Sequence, residues 1–184
     1  MIYERINHMI KISILIILIA IAGCSSISVT SDYDIYADFN SYKSFHIYRG
    51  VLKDSKLEKV PLVKKRILES IKSVMQSKGF TETDSLKADL TIYALANTAE
   101  KMNVNSYGYG YGYGWGPYPY GRNIDVSYYT QGSLIIDFVD NEKDELIWRG
   151  IGTAVVQDKG TPEEREKYIN EAVTKILEQY PPTD

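Results

Sequence analysis

The spacing of apolar and polar residues along the chain predicts an alternating series of strands and helices. Aromatic and β-branched residues are concentrated in residues 42–48, which predicts a first strand. A helix should begin at Pro61 and end at Gly79, because apolar side chains recur between them at helical spacing and glycine suits a left-handed helix cap. Alternating apolar residues at positions 88–96 then predict a second strand.

The C-terminal part of the chain predicts a hairpin followed by a helix. Residues 133–139 and 145–155 form two predicted strands separated by a short polar turn. Thr161, Pro162 and Glu164 have the residue types of a helix start with a capping box, and Pro181-Pro182 should end that helix.

The predicted element order is β-α-β-β-β-α, with a long insertion after the second strand. A strand–helix–strand crossover favours parallel pairing of the first two strands, whereas the last two strands should pair antiparallel. The expected fold is α+β. It is a two-layer sandwich in which a mixed four-stranded sheet carries both helices on one face.

The alternation of side chains also predicts which residues of the hairpin face the helices. The inward set is Leu134, Ile136, Phe138, Leu146 and Trp148. This set requires an even register, and one such register places Ile136 opposite Trp148 and Ile135 opposite Arg149, with Asp137 diagonal to Arg149. The other face then carries four apolar residues, which are Ile135, Val139, Ile147 and Ile151. We therefore expect something to cover this face.

The insertion, at about residues 97–128, contains a low-complexity block of alternating tyrosine and glycine. A connection of this length is expected to be functional or disordered. Its aromatic residues offer stacking surface for glycan rings, a membrane interface or a partner protein, while the alternative is a mobile loop that partly covers the sheet. The candidate binding residues are Tyr107, Tyr109, Tyr111, Tyr113, Trp115, Tyr118 and Tyr120.

The N-terminal residues have the pattern of a lipoprotein signal peptide. Arg5 and Lys11 precede an apolar run at residues 12–22, which is shorter than the ~20 residues of a spanning helix. The run ends in small residues before Cys24, the only cysteine. We therefore expect a signal peptide at 1–23, a lipidated tether at 24–31 and a single domain at 32–184.

Lipid attachment at Cys24 would tether the domain to a membrane by acyl chains such as palmitate. Ser25 follows Cys24 where an aspartate would favour inner-membrane retention, so the expected location is the outer membrane, facing the periplasm. Retention in the inner membrane is the alternative.

Composition narrows the possible chemistry. The formal net charge of −3 gives no electrostatic footprint for nucleic acid, and a single cysteine allows no internal disulfide. His46 is the only histidine after the leader, and no nucleophile-elbow or metal-ligand spacing is present. The acidic residues 140–145 are interpreted as a solvated turn, and Lys64-Lys65-Arg66 as a solvated helix face. We predict no catalytic residues, no metal and no cofactor.

The chain resembles a family of bacterial lipoproteins catalogued as domain of unknown function 4136. The resemblance rests on several short pieces in order, of which Cys24, Tyr42-Lys43-Ser44-Phe45, Ala88-Asp89-Leu90, Leu146-Ile147-Trp148-Arg149-Gly150 and Tyr180-Pro181-Pro182 are the clearest. It implies a periplasm-facing lipoprotein with a compact α+β domain, and it supplies no catalytic or ligand-binding residues.

Two functional hypotheses follow. The first is a non-enzymatic envelope lipoprotein that binds a protein partner or an envelope component, glycan or lipid, through the tyrosine- and glycine-rich loop. The alternative is an envelope hydrolase or transferase with an unrecognised site, which would have to use His46 if it had a histidine-based triad.

Overall fold

The computed structural model describes residues 27–53, 55–84, 87–106, 124–155 and 160–182. Within these ranges the helices are α1 (Pro61–Ser77) and α2 (Pro162–Leu177), and a single 3-10 turn spans Lys56–Lys59. The strands are β1 (Ser28–Tyr33), β2 (Ser44–Ile47), β3 (Thr81–Glu82), β4 (Leu90–Ser106), β5 (Ile124–Asp140) and β6 (Glu145–Val155). None of the helices in these ranges is long and apolar enough to cross a membrane.

The six strands form one mixed sheet in the order β1-β6-β5-β4-β2-β3. The α+β class and the parallel pairing of β2 with β4 are confirmed, but the prediction of four strands was wrong. The short β3 adds one edge and β1 adds the other. Residues 28–31, assigned to the tether from sequence, belong to β1 and pair antiparallel with β6.

Both helices begin as their local sequence predicts. Pro61 occupies the first turn of α1, and Gly79 follows that helix with a φ of +90°, a conformation that glycine adopts at little cost. At the start of α2, the Thr161 side chain accepts from the Glu164 backbone N–H, and the Glu164 carboxylate accepts from the Thr161 N–H. These reciprocal bonds form the predicted capping box.

The hydrophobic core lies between the two helices and one face of the sheet. Trp148 and Tyr180 are among its largest fully buried side chains, and their ring centroids are 5.3 Å apart. Both helices contribute to one continuous cluster, through residues such as Ile67, Ile71, Met75, Val173, Ile176 and Leu177. The prediction that both helices pack on the same face is therefore confirmed.

The register of the β5–β6 hairpin differs from the prediction by two residues. Phe138, not Ile136, lies opposite Trp148, and Asp137 lies directly opposite Arg149 rather than diagonal to it. An irregularity follows between Phe138 and Val139.

This irregularity reverses the predicted positions of two neighbouring residues. Val139 pairs with Leu146, and Phe138 already pairs with Trp148, so Ile147 is an extra residue in β6. Ile147 is consequently buried in the core and Leu146 is exposed, where the alternation predicted the opposite for both.

Two glycines of β6 allow α2 to approach the sheet closely. A Cβ atom at Gly152 would lie 2.7 Å from the Cδ1 atom of Ile176, and one at Gly150 would clash with Trp148 and Ile176. Sequence analysis gave these positions no role. The structure shows that the missing side chains make room for Ile176 in the core.

Strands β4 and β5 continue well beyond the rest of the sheet. They pair without interruption to Ser106 and Ile124, whereas the last pair between β5 and β6 is Gln131 with Val155. The predicted insertion at 97–128 is therefore partly regular structure. From Glu100 to Ser106, β4 pairs only with β5, and these two strands form what we call the ribbon.

Candidate binding surface

The face of the sheet turned away from the helices forms a broad surface that we call the helix-free face. Its residues alternate with the core residues of β4, β5 and β6, and the central ones are half-buried: Tyr93, Leu95, Ile135, Val139 and Ile151. Both helices pack on the opposite side. The predicted apolar character of this face is confirmed for Ile135, Val139 and Ile151, but not for Ile147, which the irregularity in β6 turns into the core.

Two tyrosines extend this surface toward β2. The rings of Tyr48 and Tyr93 lie 5.0 Å apart between centroids at an interplanar angle of 34°. The pKa of Tyr93 is raised above its usual value, mainly by burial and further by the neighbouring Tyr48. His46 lies in β2 beside Thr91 of β4, and its side chain is half-buried. The rings of Tyr48 and Tyr93 together add aromatic surface beside the aliphatic centre of the face.

A charged pair lies at the centre of the helix-free face. Arg149 Nε donates a 2.6 Å hydrogen bond to Asp137 Oδ1, and Arg149 Nη2 donates another of 2.6 Å to Asp137 Oδ2. These bonds hold the pKa of Arg149 above its ordinary value. The Asp137 side chain is 11% exposed and that of Arg149 is 43% exposed, so the guanidinium retains an accessible side. Asp32 of β1 lies opposite Arg149 in the strand register and adds a second carboxylate nearby.

A polar cluster lies at the end of the sheet opposite the ribbon. The Tyr42 hydroxyl donates a 2.8 Å hydrogen bond to Asp140, and both residues are buried. The Asp89 carboxylate accepts from the Lys43 N–H, the Ser44 N–H and the Ser44 hydroxyl, each at 2.8 Å. Two of the sequence pieces that carry the family resemblance therefore contact one another here.

The two carboxyl groups of this cluster have lowered pKa values. Burial opposes the charged form of Asp140, but the Tyr42 hydroxyl and the backbone N–H groups of Glu142 and Lys143 outweigh it. Burial of Asp89 is likewise outweighed by the donors of Lys43 and Ser44. Both carboxylates therefore join chain segments. We call the cluster of Tyr42, Ser44, Asp89 and Asp140 the latch.

The latch corrects one sequence interpretation. The turn at 140–145 was interpreted as solvated, and its members from Asn141 to Glu145 are exposed, but Asp140 is only 4% exposed. An open cavity of about 510 Å³ adjoins it, lined by residues that include Asp38, Lys87, Asp89 and Lys143. Within the described ranges, no group of three or more His, Cys, Asp or Glu side chains is arranged to hold a metal ion.

The residues singled out from sequence for binding and lipidation lie outside the described residues. These are Cys24 and the aromatic positions Tyr107, Tyr109, Tyr111, Tyr113, Trp115, Tyr118 and Tyr120. The structure does place the strand ends that flank the aromatic block, at Ser106 and Ile124. The Arg149–Asp137 pair and the Tyr48–Tyr93 contact were not identified as site features from sequence, although the alternation along β6 already placed Arg149 on the outer face.

Comparison with solved structures finds the same fold in proteins of low sequence identity. A DUF4136 family protein from Bacteroides thetaiotaomicron matches with a TM-score of 0.50 and 19% identity, over 85% of this chain and 97% of that one. A PDZ domain protein from Parabacteroides distasonis matches with a TM-score of 0.50 and 18% identity, over 86% of this chain. The match spans only 36% of the PDZ domain protein, about a third of its length.

Sequence comparison is more specific about the family. A search of curated proteins gave no match. The family model described as domain of unknown function (DUF4136) matches residues 29–182, which include every described strand and helix apart from the first residue of β1. The chain belongs to the DUF4136 family.

Proposed function

We propose that the protein is a lipid-anchored envelope lipoprotein whose domain is a non-enzymatic binding module. The acyl chains are attached to Cys24, the membrane is the outer membrane, and the domain faces the periplasm. The occupant of the binding module is a protein partner or an envelope component, glycan or lipid.

Support for the anchor comes from the leader together with the start of the fold. The small residues before Cys24 follow an apolar run too short to span a bilayer. Ile27 is already 9% exposed and packed, and β1 begins at Ser28. Ile27 is three positions after Cys24, so an anchored domain would lie close to the lipid.

One observation favours a binding role for the domain: the helix-free face. Aromatic and aliphatic side chains surround the Arg149–Asp137 pair there, while both helices pack on the other side of the sheet. Binding surfaces commonly combine such an apolar area with a few charged groups. The face continues through β4 and β5 into the ribbon, whose ends flank the tyrosine- and glycine-rich block.

The positions of the carboxylates favour binding over catalysis. Asp89 and Asp140 join chain segments through several hydrogen bonds and have lowered pKa values, the opposite of a general acid held protonated near neutral pH. A hydrolase or transferase remains the alternative function. His46→Ala tests it, since loss of function with an unchanged unfolding midpoint would support an enzyme.

Photocrosslinking in cells tests the binding role. A crosslinking amino acid is placed at Leu95 on the helix-free face, at Tyr111 and Trp115 in the aromatic block, and at the exposed Thr174 of α2 as the control. We expect adducts from the first three sites and none from Thr174. Equal yields at all four sites would contradict the proposal, and the mass of the adduct would distinguish protein, glycan and lipid.

Fatty-acid labelling tests the anchor separately. Wild-type protein should incorporate a labelled fatty acid, and Cys24→Ser should not and should keep its leader. Equal label in the two proteins would reject the lipoprotein assignment.

A further inference from the structure

We propose that one end of the domain, carrying the start of β1, the ribbon and the segment between β2 and α1, rests on the lipid surface. We call this the anchor end. The proposal rests on the proposed lipid at Cys24 and specifies how the anchored domain is oriented. The occupant is a bilayer of phospholipid, contacted by apolar side chains.

The strand register places the start of β1 and the base of the ribbon at the same end. Ser28 pairs with Thr153, Thr153 with Ser133, and Ser133 with Asn97, so these four residues form one row across four strands. β1 runs antiparallel to β6, β6 to β5 and β5 to β4, so the N-terminal end of β1 points in the direction in which β4 continues as the ribbon.

The lengths of the two segments leaving this row are unequal. Ser28 is four positions after Cys24, a separation that spans at most about 14 Å when extended. β4 continues nine residues past Asn97, through the ribbon, to Ser106, which is about 30 Å at the usual rise of a strand. Because the ribbon is longer than the tether, an anchored domain has to tilt until the ribbon lies along the bilayer, which also brings the row close to the lipid surface.

Exposed apolar side chains lie at the same end. Val51 is 71% exposed and Leu62 is 69% exposed, with Val60 between them in sequence at 43%. The Ser55 hydroxyl in this segment accepts a 3.1 Å hydrogen bond from the N–H of Ala96, the neighbour of Asn97 in the row. The segment is thus held level with the start of β1.

The charges of the segment suit phospholipid headgroups. Lys53, Lys56 and Lys59 lie in it or in its 3-10 turn, and none of them makes a salt bridge within the described ranges. Glu58 is neutralised by Lys64 at 2.7 Å. Glu163 and Glu164 begin α2 at this end too, so we assign the main contribution to apolar contact and a smaller one to the lysines.

The opposite end offers a matched control. Ile35 is 73% exposed and Tyr36 is 86% exposed, in the loop that follows β1. Ser28 and Tyr33 are five residues apart in β1, so this loop begins about 17 Å farther from the tether than the row does. Val51 and Leu62 at the anchor end are thus about as exposed as Ile35 and Tyr36 at the opposite end, and the two pairs differ in their distance from the tether.

Depth-dependent quenching in vesicles tests the orientation. The full-length lipidated protein is reconstituted in phosphatidylethanolamine and phosphatidylglycerol vesicles that contain spin-labelled lipid. Since Cys24 is the only natural cysteine and its sulfur is blocked by lipid in the lipidated protein, Val51→Cys, Leu62→Cys, Ile35→Cys and Tyr36→Cys each provide a unique site for a fluorophore. We expect at least threefold stronger quenching at positions 51 and 62 than at 35 and 36.

The outcomes separate the orientation from the anchor. Equal quenching at all four positions, or stronger quenching at 35 and 36, would overturn the proposed orientation. Flotation of the same vesicles reports the anchor: protein that floats without quenching at 51 and 62 contradicts the orientation alone. Protein that carries no fatty acid and does not float contradicts the proposed function instead. All four side chains are exposed, so unfolding midpoints should match the wild type and serve as the folding control.

Discussion

Arg149 faces Asp137 directly across the β5–β6 pair and binds both of its carboxylate oxygens through two parallel hydrogen bonds. Removing the guanidinium by Arg149→Ala leaves a largely buried carboxylate without its main partner. We expect a loss of about 1–3 kcal/mol in the free energy of unfolding, the usual cost of leaving a buried polar group without its hydrogen-bond partner. Denaturant unfolding measures it.

A double-mutant cycle separates this pair from its surroundings. If the two residues stabilise the hairpin mainly through each other, Arg149→Ala should cost much less in an Asp137→Ala background than in the wild type. Additive losses would show that the two hydrogen bonds contribute little.

Trp148 should matter more than its neighbour. Its indole is fully buried, 5.0 Å from Phe138 and 5.3 Å from Tyr180 between ring centroids. Truncation by Trp148→Ala removes this packing and leaves a cavity, which typically costs about 3–5 kcal/mol. A nearly neutral Trp148→Ala in the same unfolding assay would contradict the assigned core.

The latch predicts sensitivity to acid. Asp89 and Asp140 have folded-state pKa values below the unfolded value of about 3.9, so the stability they contribute is present above that pH and lost as pH falls toward the folded pKa. Asp89→Asn should therefore lower stability at pH 7 and flatten its decline below about pH 5. Urea unfolding from pH 7 to pH 2.5 measures both effects.

Glu142→Gln is the control for that experiment, because Glu142 is an exposed carboxyl in the adjacent turn. Its pH profile should follow the wild type. An unchanged slope in Asp89→Asn would show that Asp89 is not a source of the acid sensitivity.

A side chain at Gly152 should destabilise the domain. A methyl group there would lie 2.7 Å from Ile176 Cδ1 and push α2 away from the sheet. Overpacking of this kind costs about 1–3 kcal/mol. Thr153→Ala in the next position is the control and should change the thermal midpoint much less, while a midpoint for Gly152→Ala equal to wild type would mean that α2 adjusts freely.

Deletion of residues 107–120 should leave the domain folded. The strands on either side end at Ser106 and Ile124, beyond the last pair with β6, and the core residues lie on the other side of that pair. With a short flexible linker in place of the deleted residues, loop closure changes stability only slightly. A large fall in melting temperature would show that the block packs as part of the domain.

Local sequence signals predicted the helices and the general architecture. Thr161 and Glu164 specify the start of α2 through side-chain bonds to nearby backbone, so no distant information is needed. The inward set Leu134, Ile136 and Phe138 was also correct, because a buried face imposes alternation along the strand.

Features that depend on pairing between distant segments were missed. The extra residue at Ile147 shifts the register, and a period-two pattern cannot reveal it. β1 is a largely polar edge strand whose alternation is weak, so it was interpreted as tether. The pair of Arg149 and Asp137 was expected on the outer face as diagonal neighbours, and its directly opposed geometry depends on the register that the hairpin adopts.

The edge position of β1 has a mechanical consequence for an anchored protein. β1 begins four positions after Cys24 and all six of its residues pair with β6, so a pull on the acyl chains would act along the strand. Such a pull loads the backbone hydrogen bonds of β1 together, in shear, instead of opening them one at a time. Forces between membrane and domain would thus be transmitted into the sheet through its first strand.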